Sequence, residues 1–92
     1  MAILELYLTS RFKKDYKLML KRGAKPAALE LVVDMLRNRQ LLPEKYRDHE
    51  LAGDYAGFRE CHVQPDWLLV YRIEEDVLIL TLARTGTHSD LF

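Results

Sequence analysis

Several absences narrow what this 92-residue sequence can be. It has a single cysteine, Cys61, so it can form neither an internal disulfide nor a metal site of clustered cysteines, and a reducing compartment is favoured. No apolar run approaches the roughly 18 residues that a membrane span needs. The apolar start, residues 1–9, carries Glu5 and lacks the basic segment of a signal peptide. We therefore expect a cytoplasmic protein without a membrane partner.

The sequence also lacks net charge, because 14 Lys and Arg residues balance 14 Asp and Glu. The two signs are nevertheless separated along the chain. Residues 11–47 hold 11 basic and 4 acidic side chains, whereas residues 48–92 hold 3 basic and 9 acidic ones. A basic segment of this kind can attract a phosphate backbone, although solvated helix faces would explain the same distribution.

The first half of the chain predicts two helices within one domain, 1–92, which has no repeat or low-complexity tract. A short strand at 3–8 precedes them. Ser10 suits the N-cap of the first helix and Gly23 its end, while Pro26 suits the first turn of a second helix that runs to about residue 38. The apolar stripe of the first helix consists of Phe12, Tyr16, Met19 and Leu20.

The second half predicts strands joined by tight turns. Residues 41–57 have no clean periodicity and are interpreted as a loop, and 84–92 as a tail. The strands are expected at 58–63, 67–73 and 77–83. The order β-α-α-β-β-β is typical of an α+β fold, in which a helical hairpin packs on one face of a mainly antiparallel sheet. The register of the last hairpin stays open, because both faces of 77–82 are apolar.

All three histidines lie in the second half, in loops or at strand ends: they are His49, His62 and His88. Each has an acidic residue nearby, and the ordinary pKa of histidine, about 6.5, suits proton transfer at neutral pH. A lone loop histidine is usually a polar surface residue, but three beside carboxylates predict a convergent acid–base site. No two of them have a short ligand spacing, so we predict metal-free chemistry and no cofactor.

Two stretches of the second half are specific enough to indicate a family. They are LAGDYAGFRECHVQPDWLLVYR at 51–72, preceded by Asp48 and His49, and RTGTHSDLF at 84–92. Together they resemble the YafQ-type toxins of the RelE/ParE superfamily. The helices match only in pattern and basic character, and the neutral overall charge departs from the more basic character of many relatives.

The resemblance implies both a fold and a function. The fold would be the microbial RNase-like α+β fold of RelE relatives. The function would be that of a type II toxin, a ribosome-dependent endoribonuclease that cuts mRNA in the A site of the 70S ribosome. A cognate antitoxin, expected to be a small DNA-binding protein such as a ribbon-helix-helix protein, would bind and silence it.

The resemblance also implies catalytic residues. His88 matches the histidine of the family's terminal motif and is expected to be the general acid. His49, His62 and Asp66 match the other catalytic positions; one of them should be the base and the others should orient it or shape the phosphate pocket. The sequence does not divide those roles.

Three further residues are candidates for substrate binding. Arg84 is expected to contact the phosphate through its planar fork, although an ordinary strand-end cation would look the same. Trp67 and Phe92 suit stacking on bases, and Trp67 suits a core anchor equally well. We also expect Leu91 or Phe92 to pack back onto the domain, since a fraying tail would misplace His88.

Two other functional classes remain as alternatives. ParE-like toxins share the fold but inhibit DNA gyrase by binding, without RNA chemistry, and an inert adaptor would carry the fold alone. The histidines at 49, 62 and 88, together with Asp66, favour the nuclease, because a pure binder does not need several acid–base groups.

Overall fold

The computed structural model describes residues 3–92 and arranges their strands in one mixed sheet of five. Two 3-10 turns, Glu44–Tyr46 and Gly53–Tyr55, flank the second strand. The elements are β1 (Glu5–Leu8), α1 (Ser10–Lys21), α2 (Pro26–Arg37), β2 (His49–Glu50), β3 (Arg59–Gln64), β4 (Trp67–Glu74), β5 (Ile79–Gly86) and α3 (His88–Leu91).

The strand order is β1-β5-β4-β3-β2, with β1 parallel to β5 and every other neighbouring pair in these described residues antiparallel. Parallel neighbours need a crossover connection, and the chain between β1 and β5 includes the helical hairpin of α1 and α2. The predicted α+β class, with helices on one face of a mainly antiparallel sheet, is confirmed.

The helix boundaries agree with the sequence except at one cap. Thr9, not Ser10, is the N-cap of α1: its Oγ1 accepts a hydrogen bond from the Phe12 amide at 3.0 Å. The same hydroxyl donates to the Ala83 carbonyl at 2.9 Å, which joins the start of α1 to β5. Gly23 follows the end of α1 with φ +92°, a conformation that favours glycine. Within residues 3–92 no helix is long and apolar enough to cross a membrane.

The second half differs from the prediction in three places. The expected loop at 41–57 contains the short strand β2, whose two residues pair with β3. The last strand starts two residues late, because apolar Val77 and Leu78 lie in the turn, where they are exposed. The expected tail at 84–92 instead continues β5 to Gly86 and then forms α3, whose N-cap is Thr87.

The register of β4 and β5, which the sequence left open, contains a bulge. Tyr71 pairs with Leu82 and Val70 with Arg84, so Ala83 is the extra residue. A bulge changes which side chains point to each face of the sheet. Leu82 therefore reaches the core beneath the helices, while Arg84 lies opposite Val70.

The core lies between the helices and one face of the sheet, and strand alternation selects its members. The sheet contributes Cys61, Val63, Trp67, Leu69, Tyr71, Leu80 and Leu82, and the helices contribute Phe12, Met19, Leu29, Val32 and Leu36. On β4 the intervening Leu68 and Val70 are also buried, although they point to the opposite face. That opposite face, which we call the open face, thus has an apolar floor.

We predict that the buried Thr85 hydroxyl is a structural necessity. It accepts a hydrogen bond from Trp67 Nε1 at 2.8 Å and donates to the Leu68 carbonyl at 2.6 Å. Thr85→Val should lower the free energy of unfolding by about 1–3 kcal/mol, because it leaves the indole N–H buried without a partner. Urea unfolding measures this, with Thr81→Val on the same strand as the control, which should stay within roughly 0.5 kcal/mol of wild type. Equal stabilities of the two variants would contradict the prediction.

Candidate active site

The open face gathers polar side chains from three strands, β2, β3 and β5, and from α3. Alternation along β3 directs Glu60 and His62 to this face, because their neighbours Cys61 and Val63 enter the core. The pairing places His49 of β2 opposite Glu60, and Glu60 opposite Val70, which in turn pairs with Arg84. One row across the sheet therefore carries an imidazole, a carboxylate and a guanidinium.

Glu60 is the common neighbour of the three histidines and was not predicted as a site residue. Its side chain is buried, with Oε1 3.4 Å from His49 Nε2. Its Oε2 is the one buried side-chain oxygen or nitrogen in residues 3–92 that has no hydrogen-bond partner. One ligand atom each from Glu60, His62 and His88 lie within 4.8 Å of one another. The signal available in the sequence was the spacing of Glu60 and His62, which places both on one face of a strand.

His62 and His88 lie side by side, with ring centroids 5.7 Å apart. Asp66, in the turn between β3 and β4, brings its Oδ1 to 3.7 Å from His88 Nδ1. The carboxylate is thus placed to pair with the imidazolium of His88 when that ring is protonated. The structure brings together His49, His62, Asp66 and His88, as the sequence predicted, around a carboxylate that it missed.

Backbone carbonyls orient two of the rings. His49 Nδ1 lies 2.7 Å from the Arg47 carbonyl, and His62 Nδ1 lies 3.2 Å from the Pro65 carbonyl. A carbonyl oxygen only accepts, so Nδ1 must carry the hydrogen in each ring. Nε2 is then the atom of each ring that exchanges a proton, and on His49 this atom faces Glu60.

Asp48 holds the segment that carries His49, instead of pairing with that histidine. It accepts hydrogen bonds from Tyr71 Oη and, at 3.0 Å, from Arg59 Nη2, both on the core side of the sheet. Burial, followed by the nearby Asp48 carboxylate, raises the pKa of Tyr71 well above its ordinary value, so the phenol remains a donor. A strand of only two residues is thereby fixed to the core.

Asp90 likewise holds α3, instead of pairing with His88. Arg22 at the end of α1 donates to Asp90 Oδ2 at 2.7 Å and to Oδ1 at 3.3 Å. Asp90 also forms a reciprocal capping box with Thr87. A Cβ at Gly86, where φ is +155°, would lie 3.0 Å from the Asp90 side chain and would crowd the residue that holds α3. The hydrogen bonds from Arg22, followed by that from the Thr87 amide, lower the pKa of Asp90 to about 2.

The predicted substrate-binding residues have three different environments. Arg84 is 15% exposed and donates to Asp15 of α1, with Nε 2.7 Å from Oδ2, which raises the pKa of the guanidinium. Phe92 is 62% exposed and meets Tyr55 edge to face, with centroids 6.1 Å apart. Trp67 is 2% exposed and belongs to the core, so the prediction that it stacks on a base is wrong. The expected packing of the tail is made by Phe92 against Tyr55 and by the salt bridge of Asp90.

The cluster of Glu60, His62 and His88 also has the composition of a metal site. Two imidazoles and one carboxylate are ordinary ligands of divalent transition ions. The spacing of the histidines along the chain therefore does not exclude a metal, because the fold brings together residues that are far apart in sequence.

Comparison with known proteins identifies the class. A family model described as "Bacterial toxin of type II toxin-antitoxin system, YafQ" matches residues 4–92. The mRNA interferase toxin YafQ of Escherichia coli strain K12 is 38% identical over 89 residues, which cover 96% of this chain and 95% of that protein. The fold, the histidine–carboxylate face and this match define a toxin of a type II toxin–antitoxin system.

Solved structures agree with that class. A metal-bound toxin from Helicobacter pylori superposes with a TM-score of 0.92 at 43% identity, covering 98% of this chain and 100% of that one. YafQ in the E. coli DinJ–YafQ toxin–antitoxin complex superposes with a TM-score of 0.87 at 37% identity, covering 97% of each chain. The chain belongs to the YafQ family.

We predict that the order of α3 depends on pH through Asp90. Its folded pKa of about 2 lies below its ordinary value of 3.8, so its contribution is present above pH 3.8 and is lost as the pH falls towards 2. NMR hydrogen exchange of the amides at 88–92 should show protection that is constant from pH 7 to about 4 and decreases below it. Asp90→Asn should show lower protection at neutral pH and no such transition. A transition of the same size in Asp90→Asn would contradict the assignment.

Proposed function

We propose that this toxin is a ribosome-dependent endoribonuclease that cuts mRNA in the A site, and that this activity is what the antitoxin of the pair silences. The observation that carries the proposal is the convergence of Glu60, His62 and His88 within 4.8 Å, on a face that also presents Arg84. These are the groups that RNA cleavage needs: proton acceptors, a proton donor and a cation. The E. coli relative, named an mRNA interferase, supports the same activity.

The proposed reaction is attack of a ribose 2′-oxygen on the neighbouring phosphate. A base takes the 2′-OH proton, the new P–O bond closes a 2′,3′-cyclic phosphate, and the bond to the 5′-oxygen breaks as an acid protonates that leaving oxygen. Water then opens the cyclic phosphate to a 3′-phosphate. Each proton that is taken up is balanced by one that is released, so the step needs no external oxidant, reductant or hydride.

Glu60 is the proposed base, with His49 as its partner. Glu60 is a buried carboxylate with one unpaired oxygen, so it can accept a proton that reaches it through the more exposed His49 ring. His49 Nε2, at 3.4 Å from the other oxygen, can relay or share that proton. Burial strengthens the interaction of this pair with a charged group that enters the site.

His88 is the proposed general acid. It lies across from Glu60 in the same cluster, and Asp66 is placed to pair with its charged form. After the ring gives its proton to the leaving oxygen, Asp66 holds Nδ1 in position for reprotonation. The anchors of α3 keep the ring within reach of the phosphate, which matters because small misplacements cost rate steeply.

His62 and Arg84 are proposed to bind the phosphate between the base and the acid. His62 keeps its Nδ1 hydrogen on the Pro65 carbonyl, so its Nε2 points to substrate. Asp15 accepts hydrogen bonds from Nε and Nη2 of Arg84 and so fixes the guanidinium in place, and the fork geometry of arginine suits phosphate oxygens. This reaction is metal-free: an ion held by Glu60, His62 and His88 would act as a Lewis acid, but it would also occupy the lone pairs that acid–base catalysis uses.

The proposed partners follow from the charge distribution and the relatives. The exposed cations of α1 are suited to the phosphates of ribosomal RNA; they are Arg11, Lys13, Lys14, Lys17 and Lys21. Since a relative is described in complex with its antitoxin DinJ, we propose a cognate antitoxin here, a small DNA-binding protein of the ribbon-helix-helix type. Ribosomes and mRNA would place the pair in the cytoplasm.

The proposed reaction predicts both the substrate and the chemical ends of the products. Purified protein should cleave mRNA in a translating extract and leave naked RNA largely intact, because the site has few groups that read bases and the ribosome would position the strand. The 5′ fragments should end in a 2′,3′-cyclic phosphate or a 3′-phosphate. Mass spectrometry of the fragment ends tests this, where a chelator cannot, since ribosomes need magnesium. Fragments with a free 3′-OH would indicate a metal-activated water instead, and intact RNA with inhibited gyrase would indicate the ParE-like alternative.

Two substitutions test the proposed acid and base independently of the stability of the fold. His88→Gln and Glu60→Gln should each abolish cleavage and growth arrest. His88→Gln should keep stability within about 1 kcal/mol of wild type, because the ring is exposed. Glu60→Gln should not be destabilising, because it removes an incompletely paired buried carboxylate.

Glu74→Gln, at the far end of β4, is the matched control and should cleave normally. A normally folded His88→Gln protein that cleaves at near wild-type rate would move the acid to His49 or His62. The same result for Glu60→Gln would move the base to one of those rings.

A further inference from the structure

A cavity of about 480 Å³ lies beside the proposed active site. One wall is the 3-10 turn with the residue that follows it, and the other is the end of β3 and its turn. The lining residues are Lys45, Tyr46, Arg47, His62, Val63, Gln64 and Pro65. We propose that this cavity binds one nucleotide of the mRNA, the nucleotide on the 5′ side of the cut that bears the attacking 2′-OH. This inference rests on the proposed nuclease function.

The position of the cavity argues for a nucleotide bound next to the scissile phosphate. His62 belongs both to the cavity wall and to the cluster of Glu60 and His88. A phosphate bound at that cluster therefore puts the adjoining nucleotide against this wall. The volume falls in the range of roughly 300–1,000 Å³ typical of small-molecule sites.

The charge of the cavity argues for a nucleic acid strand. Its lining contains two cations, Lys45 and Arg47, and no carboxylate. Both side chains are exposed, and within residues 3–92 neither forms a salt bridge. Lys45 Nζ lies over the Tyr46 ring, 5.2 Å from its centroid, but a cation with no anionic partner can still bind the backbone phosphate of the same strand.

The contact between Arg47 and His49 indicates that the cavity holds the nucleotide on the 5′ side of the cut. Arg47 has φ +49° and ψ +43°, a left-handed conformation that is uncommon for a residue other than glycine and that turns its carbonyl towards His49. Its carbonyl accepts a hydrogen bond from His49 Nδ1. The cavity wall is therefore joined directly to His49 and Glu60, the two residues of the proposed general base. His88, the proposed acid on the side of the leaving oxygen, is not part of the lining.

Gln64 is the residue in this cavity that can read a base. Its amide offers a donor and an acceptor, the combination that distinguishes base edges, whereas lysine and arginine only donate. Apart from His62, which is assigned to the phosphate, the other uncharged lining side chains are those of Tyr46, Val63 and Pro65. Tyr46 and Val63 belong to the core and shape the floor. We expect Gln64 to set a preference and the two cations to set affinity.

The test maps cut sites by primer extension on a set of mRNAs in a translating extract. Gln64→Ala should redistribute the cuts by changing the preferred nucleotide that precedes the cut, with a change in relative rates of about tenfold at the most affected sites. The double variant Lys45→Gln with Arg47→Asn should raise the half-saturating ribosome concentration about tenfold and leave the maximal rate near wild type. Asn at 47 is chosen because it tolerates the left-handed conformation.

Salt dependence provides a second measurement. If both cations bind phosphates, the double variant should reduce the slope of log affinity against log salt by about 1.4, or 0.7 for each contact with a single strand. The control, Lys25→Gln with Arg39→Asn, removes the same charge at residues outside the cavity and outside the cations proposed to bind ribosomal RNA, again with Asn at a left-handed position. It should leave the cut-site distribution and the salt slope unchanged.

The failure of this inference is distinct from that of the proposed function. A wild-type protein that does not cleave mRNA overturns the function itself. If wild type cleaves and Gln64→Ala keeps the same cut sites, the cavity does not read the nucleotide. If Gln64→Ala instead changes preference for the nucleotide that follows the cut, the cavity lies on the wrong side of the phosphate.

Discussion

The structure depends on holding one carboxylate, Glu60, on an apolar floor without completing its hydrogen bonds. Burying an unpaired polar atom costs free energy that a protein of this size must recover elsewhere. The recovery comes from the opposite face of the same strands, where Cys61 and Val63 join the helices in the core. Strand alternation thus places the stabilising and the chemically reactive residues one position apart, and β3 carries both.

The active-site residues sit on short segments that would fray if they were not tied to the helical side. His49 lies on a strand of two residues, and the ion pair of Asp48 and Arg59 fixes it. His88 begins a helix of four residues that Arg22 fixes through Asp90. Such exposed pairs add little to global stability, but they decide the local geometry of a terminal segment.

Much of the fold could be predicted from local patterns. The two helices, the four longer strands and their order along the chain followed from apolar periodicity, caps and turns, and the structure agrees within a few residues. The errors have physical causes. Val77 and Leu78 are apolar but lie exposed in a turn, because an apolar residue is not always buried. Trp67 suits both base stacking and the core, and the composition of the strand alone does not show on which face of the sheet a side chain lies. The short strand β2 was missed because its pairing with β3 is a long-range contact.

The sequence by itself determined which chemical groups are available and where the chain would be helical or extended, because helix caps and hydrophobic periods act over a few residues. Only the tertiary structure decided which groups meet. Asp48 and Asp90 are near histidines in sequence, yet they pair with Arg59 and Arg22. Glu60 is the carboxylate that does reach the histidines, because strand pairing sets it opposite His49 and strand alternation puts it on the same face as His62. Register is set by pairing between distant segments and by the burial of one face, so no local pattern could have revealed it.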